Sequence, residues 1–376
     1  MKKESQDAVR VEKFRFITSL VVMAVILFGG AILCLAKSPD EISLSERRKL
    51  EQFPKLTWEA VADGEWMVDF EKYTLDQFPF RDRMRSVKAY VQQNLFMQKD
   101  NNGIYVVDGN VGKLEYPLNE NSVINAANKF NALYDKYMAG TDVKVYTSVI
   151  PDKNYFLAAE NGYLSVDYEQ MMKLYTKNIR NMSYIDIFSL LEAEDYYRTD
   201  SHWSQERIVD VAMRLAEAMG AADRISGEYE MKELTPFYGV YYGQSAMSLQ
   251  PDVIRYLTND VIEKCTTYNA ENGKTAPVYN LDKFSGMDPY DIFLSGATPL
   301  ITITNPNGEK GKELVIFRDS FGSSLAPLLI EGYETITLVD IRYMHSNLLP
   351  KYIEFKDQDV LFLYSTMVLN SSNMLH

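Results

Sequence analysis

Two stretches of this 376-residue chain carry side chains able to move a proton and make a covalent bond. The first is Tyr196-Tyr197-Arg198-Thr199-Asp200-Ser201-His202-Trp203-Ser204. His202 is one of three histidines, with His345 and His376, and imidazole is the side chain that titrates near neutral pH without perturbation. Residues two apart in an extended segment project to the same side. Asp200 can therefore reach His202 and fix its tautomer, the orienting half of a nucleophile–base–acid constellation. The same pair could equally cap a helix or satisfy a turn. The second stretch is Arg318-Asp319-Ser320-Phe321-Gly322, where the apolar run Leu314-Val315-Ile316-Phe317 ends and a helical pattern through Leu325, Ala326, Leu328 and Leu329 begins. That is a strand–turn–helix with a serine at the strand's carboxyl end. Ligands gather there in open α/β sheets, and amides at a helix start can hold an oxyanion. Ser320 would also serve as an ordinary N-cap.

The elements that must position these stretches follow an α/β texture from about Asn101 onward. Gly103–Val107, Val143–Ile150 and Tyr184–Phe188 read as strands. The second ends in the loop Pro151-Asp152-Lys153, which makes Lys153 a candidate substrate contact. After Trp203, read as a packing anchor, Ser204 is placed to cap a helix with Ile208, Val211, Ala212, Leu215 and Met219 on one face. Residues 225–300 are less regular and rich in tyrosine, including Tyr238, Tyr242, Tyr279 and Tyr290, a side chain that suits core edges and sugar surfaces alike. Val315–Phe317, Thr335–Val339 and Val360–Leu363 are buried-type strands separated by helix-length segments, which favours parallel pairing.

Upstream, Phe16–Ala36 holds no charge and is long enough to span a bilayer as a helix. Lys2, Lys3, Arg10, Lys13 and Arg15 precede it. The positive-inside rule then makes 1–15 a cytoplasmic tail, 16–36 a transmembrane anchor and everything beyond extracytoplasmic. A cleaved signal peptide is the competing reading, but the apolar run exceeds a usual signal core. Residues 37–100 are charged and mostly helical in pattern, interrupted at Phe78-Pro79-Phe80, and read as a juxtamembrane stalk. Residues 101–376 form the α/β domain. A formal charge of -13 argues against nucleic acid, whose recognition needs a basic face. Cys34 and Cys265 suggest neither a disulfide nor a metal site. One Asp-x-His without a second nearby histidine falls short of a zinc ligand set, and no cofactor is expected.

Asp200-Ser201-His202-Trp203 together with Arg318-Asp319-Ser320-Phe321-Gly322 resembles the DHHW family of Gram-positive envelope proteins, relatives of the SGNH-hydrolase-like proteins that O-acetylate alginate. Asp76-Gln77-Phe78-Pro79-Phe80-Arg81-Asp82, Pro151-Asp152-Lys153 and Asp340-Ile341-Arg342-Tyr343 share in the resemblance. Ser201 stands where the name-giving motif has its first histidine. The resemblance implies a three-layer α/β/α SGNH-hydrolase-like domain in circularly permuted order, since here the serine comes last. It implies Ser320 as nucleophile, His202 as base and Asp200 as orienting acid, with Phe321, Gly322, Arg342, Tyr343 and Ser365 as oxyanion or substrate contacts. The strand ending at Tyr364-Ser365-Thr366 lacks the asparagine that SGNH hydrolases deliver to the oxyanion hole. The implied activity is O-acetyl transfer to an envelope polysaccharide, with a membrane-bound O-acyltransferase as the partner supplying acyl groups. An acetylesterase using the same triad, and a non-catalytic glycan-binding or assembly protein, are the alternatives.

Overall fold

The computed structural model describes residues 2–43 and 45–376. The side chains of residues 2–9, 11 and 35, including the Lys2 and Lys3 counted toward the positive flank, lie outside the described residues. The chain divides into two compact units, Met1–Val91 and Gln92–His376.

In the first unit one helix runs Lys2–Ala36. Its segment Glu12–Cys34 is long and apolar enough to cross a bilayer, with a mean hydropathy of 2.6. Three short helices follow, Trp58–Ala62, Glu65–Asp76 and Arg81–Tyr90. The chain turns at Phe78-Pro79-Phe80, where Phe80 takes a left-handed φ of 58° and proline prevents a continuous helix. Trp66 and Phe70 stack at 4.9 Å, and Phe53 packs edge-on against both. Asp76 accepts both terminal nitrogens of Arg48, at 2.7 and 2.5 Å, and the Glu51 amide at 2.9 Å. The Arg48 hydrogen bond foremost holds the Asp76 carboxyl down at about 2, because bonds to the charged form favour it.

The second unit is built on one eight-stranded sheet. In chain order its strands are β1 (Lys144–Ile150), β2 (Ser183–Tyr184), β3 (Thr266–Asn269), β4 (Lys274–Pro277), β5 (Leu300–Thr304), β6 (Glu313–Arg318), β7 (Thr335–Val339) and β8 (Asp359–Ser365). They lie in the order β4-β3-β5-β7-β6-β8-β1-β2. Strands β7, β6, β8, β1 and β2 run parallel, and β5, β3 and β4 add an antiparallel edge. The central parallel strands are apolar almost throughout because both their faces are covered. Val315 and Phe317 of β6 join the cluster that holds Phe130 of α1 (Glu120–Tyr137) and Met171 and Tyr175 of α2 (Tyr168–Asn178). Leu314 and Ile316 join the opposite cluster, with Val211, Leu215 and Met219 of α3 (Val209–Met219) and Leu325 of α4 (Gly322–Leu329). Successive side chains of a strand point to opposite faces, so helices cover both sides. The architecture is the three-layer α/β/α expected from the sequence. Each such buried Leu, Ile or Phe contributes about 1.5–3 kcal/mol, which fixes the strand ends that carry the site.

Four local expectations change. Ile104–Val107 is a strand, but it pairs with Asn110–Lys113 in a hairpin outside the sheet. Asp108 and Gly109 turn that hairpin with φ of 49° and 81°, as a two-residue mirror-image turn requires. Of Tyr184–Phe188 only Tyr184 stays in the strand, because the Asp186 side chain accepts the Phe188 amide at 3.2 Å and bends the chain away. Ser204 begins a 3-10 turn, Gln205–Arg207, without a side-chain cap, and α3 starts at Val209 with the expected face buried. The tyrosine-rich 225–300 region contains regular structure after all: the hairpin Glu230–Phe237 with Asp252–Thr258, and strands β3 and β4.

Candidate active site

Strand β6 delivers Ser320. After Arg318 the chain turns through Asp319, whose carboxylate accepts the Phe321 amide at 3.1 Å and the Ser365 amide at 2.8 Å. That carboxylate ties the start of α4 to the carboxyl end of the neighbouring strand β8. Gly322 is required here, since a Cβ would lie 2.8 Å from Arg318 Cβ. Arg318 itself is fully buried beneath the turn.

The loop carrying Asp200 and His202 is closed at its base by the bridge between Tyr196 and Trp203 and by the Tyr197 amide donating to His202 O at 3.1 Å. Four distant segments hold it. Val111 donates its amide to Arg198 O at 2.7 Å. Asp252 accepts the Arg198 and Thr199 amides at 3.0 and 2.8 Å and the Thr199 hydroxyl at 2.6 Å. Lys153 Nζ donates to the carbonyls of Tyr197 and Arg198 at 2.7 and 2.8 Å. Gly239 lies so close that a Cβ would meet Thr199 O at 2.2 Å. That approach lets the Val240 amide donate to Asp200 Oδ2 at 2.7 Å.

These supports bring the two stretches together. His202 Nδ1 lies 2.6 Å from Asp200 Oδ1, and His202 Nε2 lies 2.7 Å from Ser320 Oγ. With Asp200 ionised, Nδ1–H donates to it and Nε2 is left to accept from the serine hydroxyl, which sets the tautomer. Asp200 is wholly buried and His202 only 8% exposed, while Ser320 is partly open. The imidazole lies parallel to the Tyr290 ring at 3.9 Å, and Phe321 packs against it at 5.0 Å. An acid, a base and a hydroxyl linked in one line are the parts needed for nucleophilic acyl transfer.

The family profile described as DHHW protein matches residues 135–339, more than half of the chain and both halves of this constellation. The chain belongs to the DHHW family. This DHHW protein is also similar in fold to solved structures. A DHHW family protein from Eubacterium siraeum aligns at 22% identity over 73% of this chain and 94% of that one, with a TM-score of 0.58. Bacillus cereus PatB1 aligns at 17% identity over 72% of this chain and 97% of its own, with a TM-score of 0.56. The same protein solved with a sulfonyl adduct gives 16%, 71%, 97% and 0.54. A comparison with curated protein sequences returns no match.

The structure also places the other candidate residues of this DHHW protein. Lys153, expected at substrate, is 2% exposed and spends its ammonium on loop carbonyls, including Asp200 O at 3.4 Å. Burial pushes Lys153 down to about 7, against the pull of Asp252 and Asp200. The amides of Phe321 and Gly322 are engaged by Asp319, through its carboxylate and its carbonyl respectively. The Ser365 amide is likewise engaged. Arg342 holds Asp340 through Nε at 2.9 Å and Nη2 at 2.6 Å, with its guanidinium 5.4 Å from the exposed Tyr343 ring. Among the described residues neither is hydrogen-bonded to Ser320 or His202. Ser201 places its hydroxyl 3.5 Å from Asp200 Oδ1. Trp203 is fully buried and donates Nε1–H to Ser324 Oγ at 2.9 Å, fastening the residue after His202 to α4. Sequence reasoning missed Gly239 and Asp252, whose importance comes from what they touch. It noted Tyr290 only as one tyrosine among many.

Proposed function

We propose that this DHHW protein is an extracytoplasmic, membrane-anchored enzyme that transfers an O-acetyl group to a cell-envelope polysaccharide. The observation that carries the proposal is the unbroken line Asp200–His202–Ser320, with contacts of 2.6 and 2.7 Å. Ser320 Oγ attacks the acetyl carbonyl while His202 Nε2 takes its proton, and Asp200 holds the imidazolium that results. The proton passes to the departing group, leaving an acetyl-serine. A sugar hydroxyl, deprotonated by His202, attacks that ester and releases the serine. The Ser320 amide, for which no described residue is an acceptor, is the oxyanion donor assigned here, the Phe321 and Gly322 amides being engaged.

The segment Glu12–Cys34 supplies the anchor, with the N-terminus in the cytosol. Confinement to the membrane plane favours encounter with a membrane-bound O-acyltransferase that relays acetyl groups from the cytosolic side. The test is the acetyl content of the envelope polysaccharide after Ser320→Ala replacement in the native cell. A fall is expected. A rise would indicate an acetylesterase acting through the same triad, and no change in any glycan would leave a binding or assembly role.

A further inference from the structure

His202 needs more than Asp200 to stay in line with Ser320, because a single hydrogen bond at Nδ1 leaves the ring free to swing about it. The ring that stops this swing comes from the 289–292 turn, remote in sequence from both stretches. Tyr290 is 4% exposed and lies parallel to the imidazole, with ring centroids 3.9 Å apart and an interplanar angle of 8°. Its own orientation is fixed. The hydroxyl donates to Ser324 Oγ at 2.8 Å, the same atom that accepts Trp203 Nε1–H at 2.9 Å. Phe293 and Tyr197 pack against the Tyr290 ring at 4.9 and 6.4 Å. Tyr290 is thereby tied to both the residue after His202 and the helix that follows Ser320.

We infer that Tyr290 is a positioning residue of the triad: its face holds the His202 imidazole in the plane between Asp200 and Ser320 and stabilises the imidazolium formed when Ser320 gives up its proton. A cation over an aromatic face within about 6 Å is attracted by the ring quadrupole. The neutral imidazole gains less from the ring, so the contribution falls on the step that moves the proton. This rests on the serine-nucleophile reading above.

The experiment uses the full chain in detergent and phenylmethylsulfonyl fluoride as the probe, so no substrate need be known. In that reaction the Ser320 Oγ–S bond forms, the S–F bond breaks, fluoride leaves, and His202 takes the serine proton. Tyr290→Phe keeps the face and should label within about 2-fold of the wild type, since only the Ser324 hydrogen bond is lost. Tyr290→Leu and Tyr290→Met remove the face and should lower the maximal labelling rate roughly 10-fold. The reagent concentration for half-maximal rate should stay near wild type, and rates are compared well below each variant's melting transition, because losing a buried ring and its hydrogen bond lowers stability. Labelling of both aliphatic variants at the wild-type rate overturns the inference, and so does a loss in Tyr290→Phe equal to theirs. Ser320→Ala separates the two levels: unlabelled wild type, or Ser320→Ala labelled as fast as wild type, takes down the nucleophile reading instead.

Discussion

In the proposed mechanism the proton of Ser320 Oγ passes to His202 Nε2, 2.7 Å away, so removing either group should have the same consequence. Ser320→Ala and His202→Ala should each lower turnover of a small acetyl ester on the order of 10⁴-fold or more, and the double variant no further. Full activity in Ser320→Ala would remove the mechanism. Asp200→Asn should fall between wild type and these, since the role proposed for Asp200 is to orient the ring rather than to bond substrate. Gly239→Ala tests the support behind Asp200. With a Cβ forced to within 2.2 Å of Thr199 O, it should cost about 1–3 kcal/mol in unfolding experiments and reduce activity in the part that still folds. Unchanged melting and turnover would show that the backbone yields there. The contrast between these residues explains what the sequence reveals. Asp200 and His202 are two apart, and Ser320 sits at a recognisable strand–turn–helix, so chemistry is visible in local spacing. Gly239 and Asp252 act on Thr199, 40 and 53 residues away, and Tyr290 has the local texture of the chain's other tyrosines. No local pattern could have marked them.

At the scale of elements, the loop from Tyr196 to Trp203 has almost no regular structure and depends on cross-links, the buried Lys153 among them. Its ammonium, ordinarily at 10.5, is pushed by burial to about 7. Between those values the unfolded chain binds the extra proton and the folded chain does not, so stability from this group rises with pH. The penalty is fully present below about pH 7 and is relieved as pH climbs toward about 10.5. Lys153→Met should lose about 1–3 kcal/mol through orphaned carbonyls, and its deficit relative to wild type should widen from about pH 7 to pH 9. Denaturant titrations at several pH values read this directly, and a constant offset would refute it. The parallel strands β6, β7 and β8 are legible in sequence because burial on both faces writes an apolar run. The antiparallel edge is not legible: β3 reads Thr266-Thr267-Tyr268-Asn269 and β4 ends in a proline, textures shared with loops.

At the scale of the whole molecule, one apolar helix near the N-terminus sets the test of topology. Protease added to intact cells should digest the chain beyond Lys37, and a salt wash should leave the protein with the membranes. Protection of the region around Ser320 would overturn the proposed orientation and with it the envelope substrate. The separation of the triad along the chain has a further consequence, for synthesis. His202 and Ser320 are 118 residues apart, and β8, which holds Asp319 through Ser365, comes later still. Contacts between such distant segments carry a loop-closure cost before they reward it and form late. A chain emerging from the ribosome therefore displays Asp200 and His202 long before Ser320, and Ser320 before that turn can be fixed. On the proposed mechanism no unfinished chain can form or cleave an ester by this route, so the protein would stay inert toward the acyl groups of the cell that makes it until the last strand of its sheet is in place.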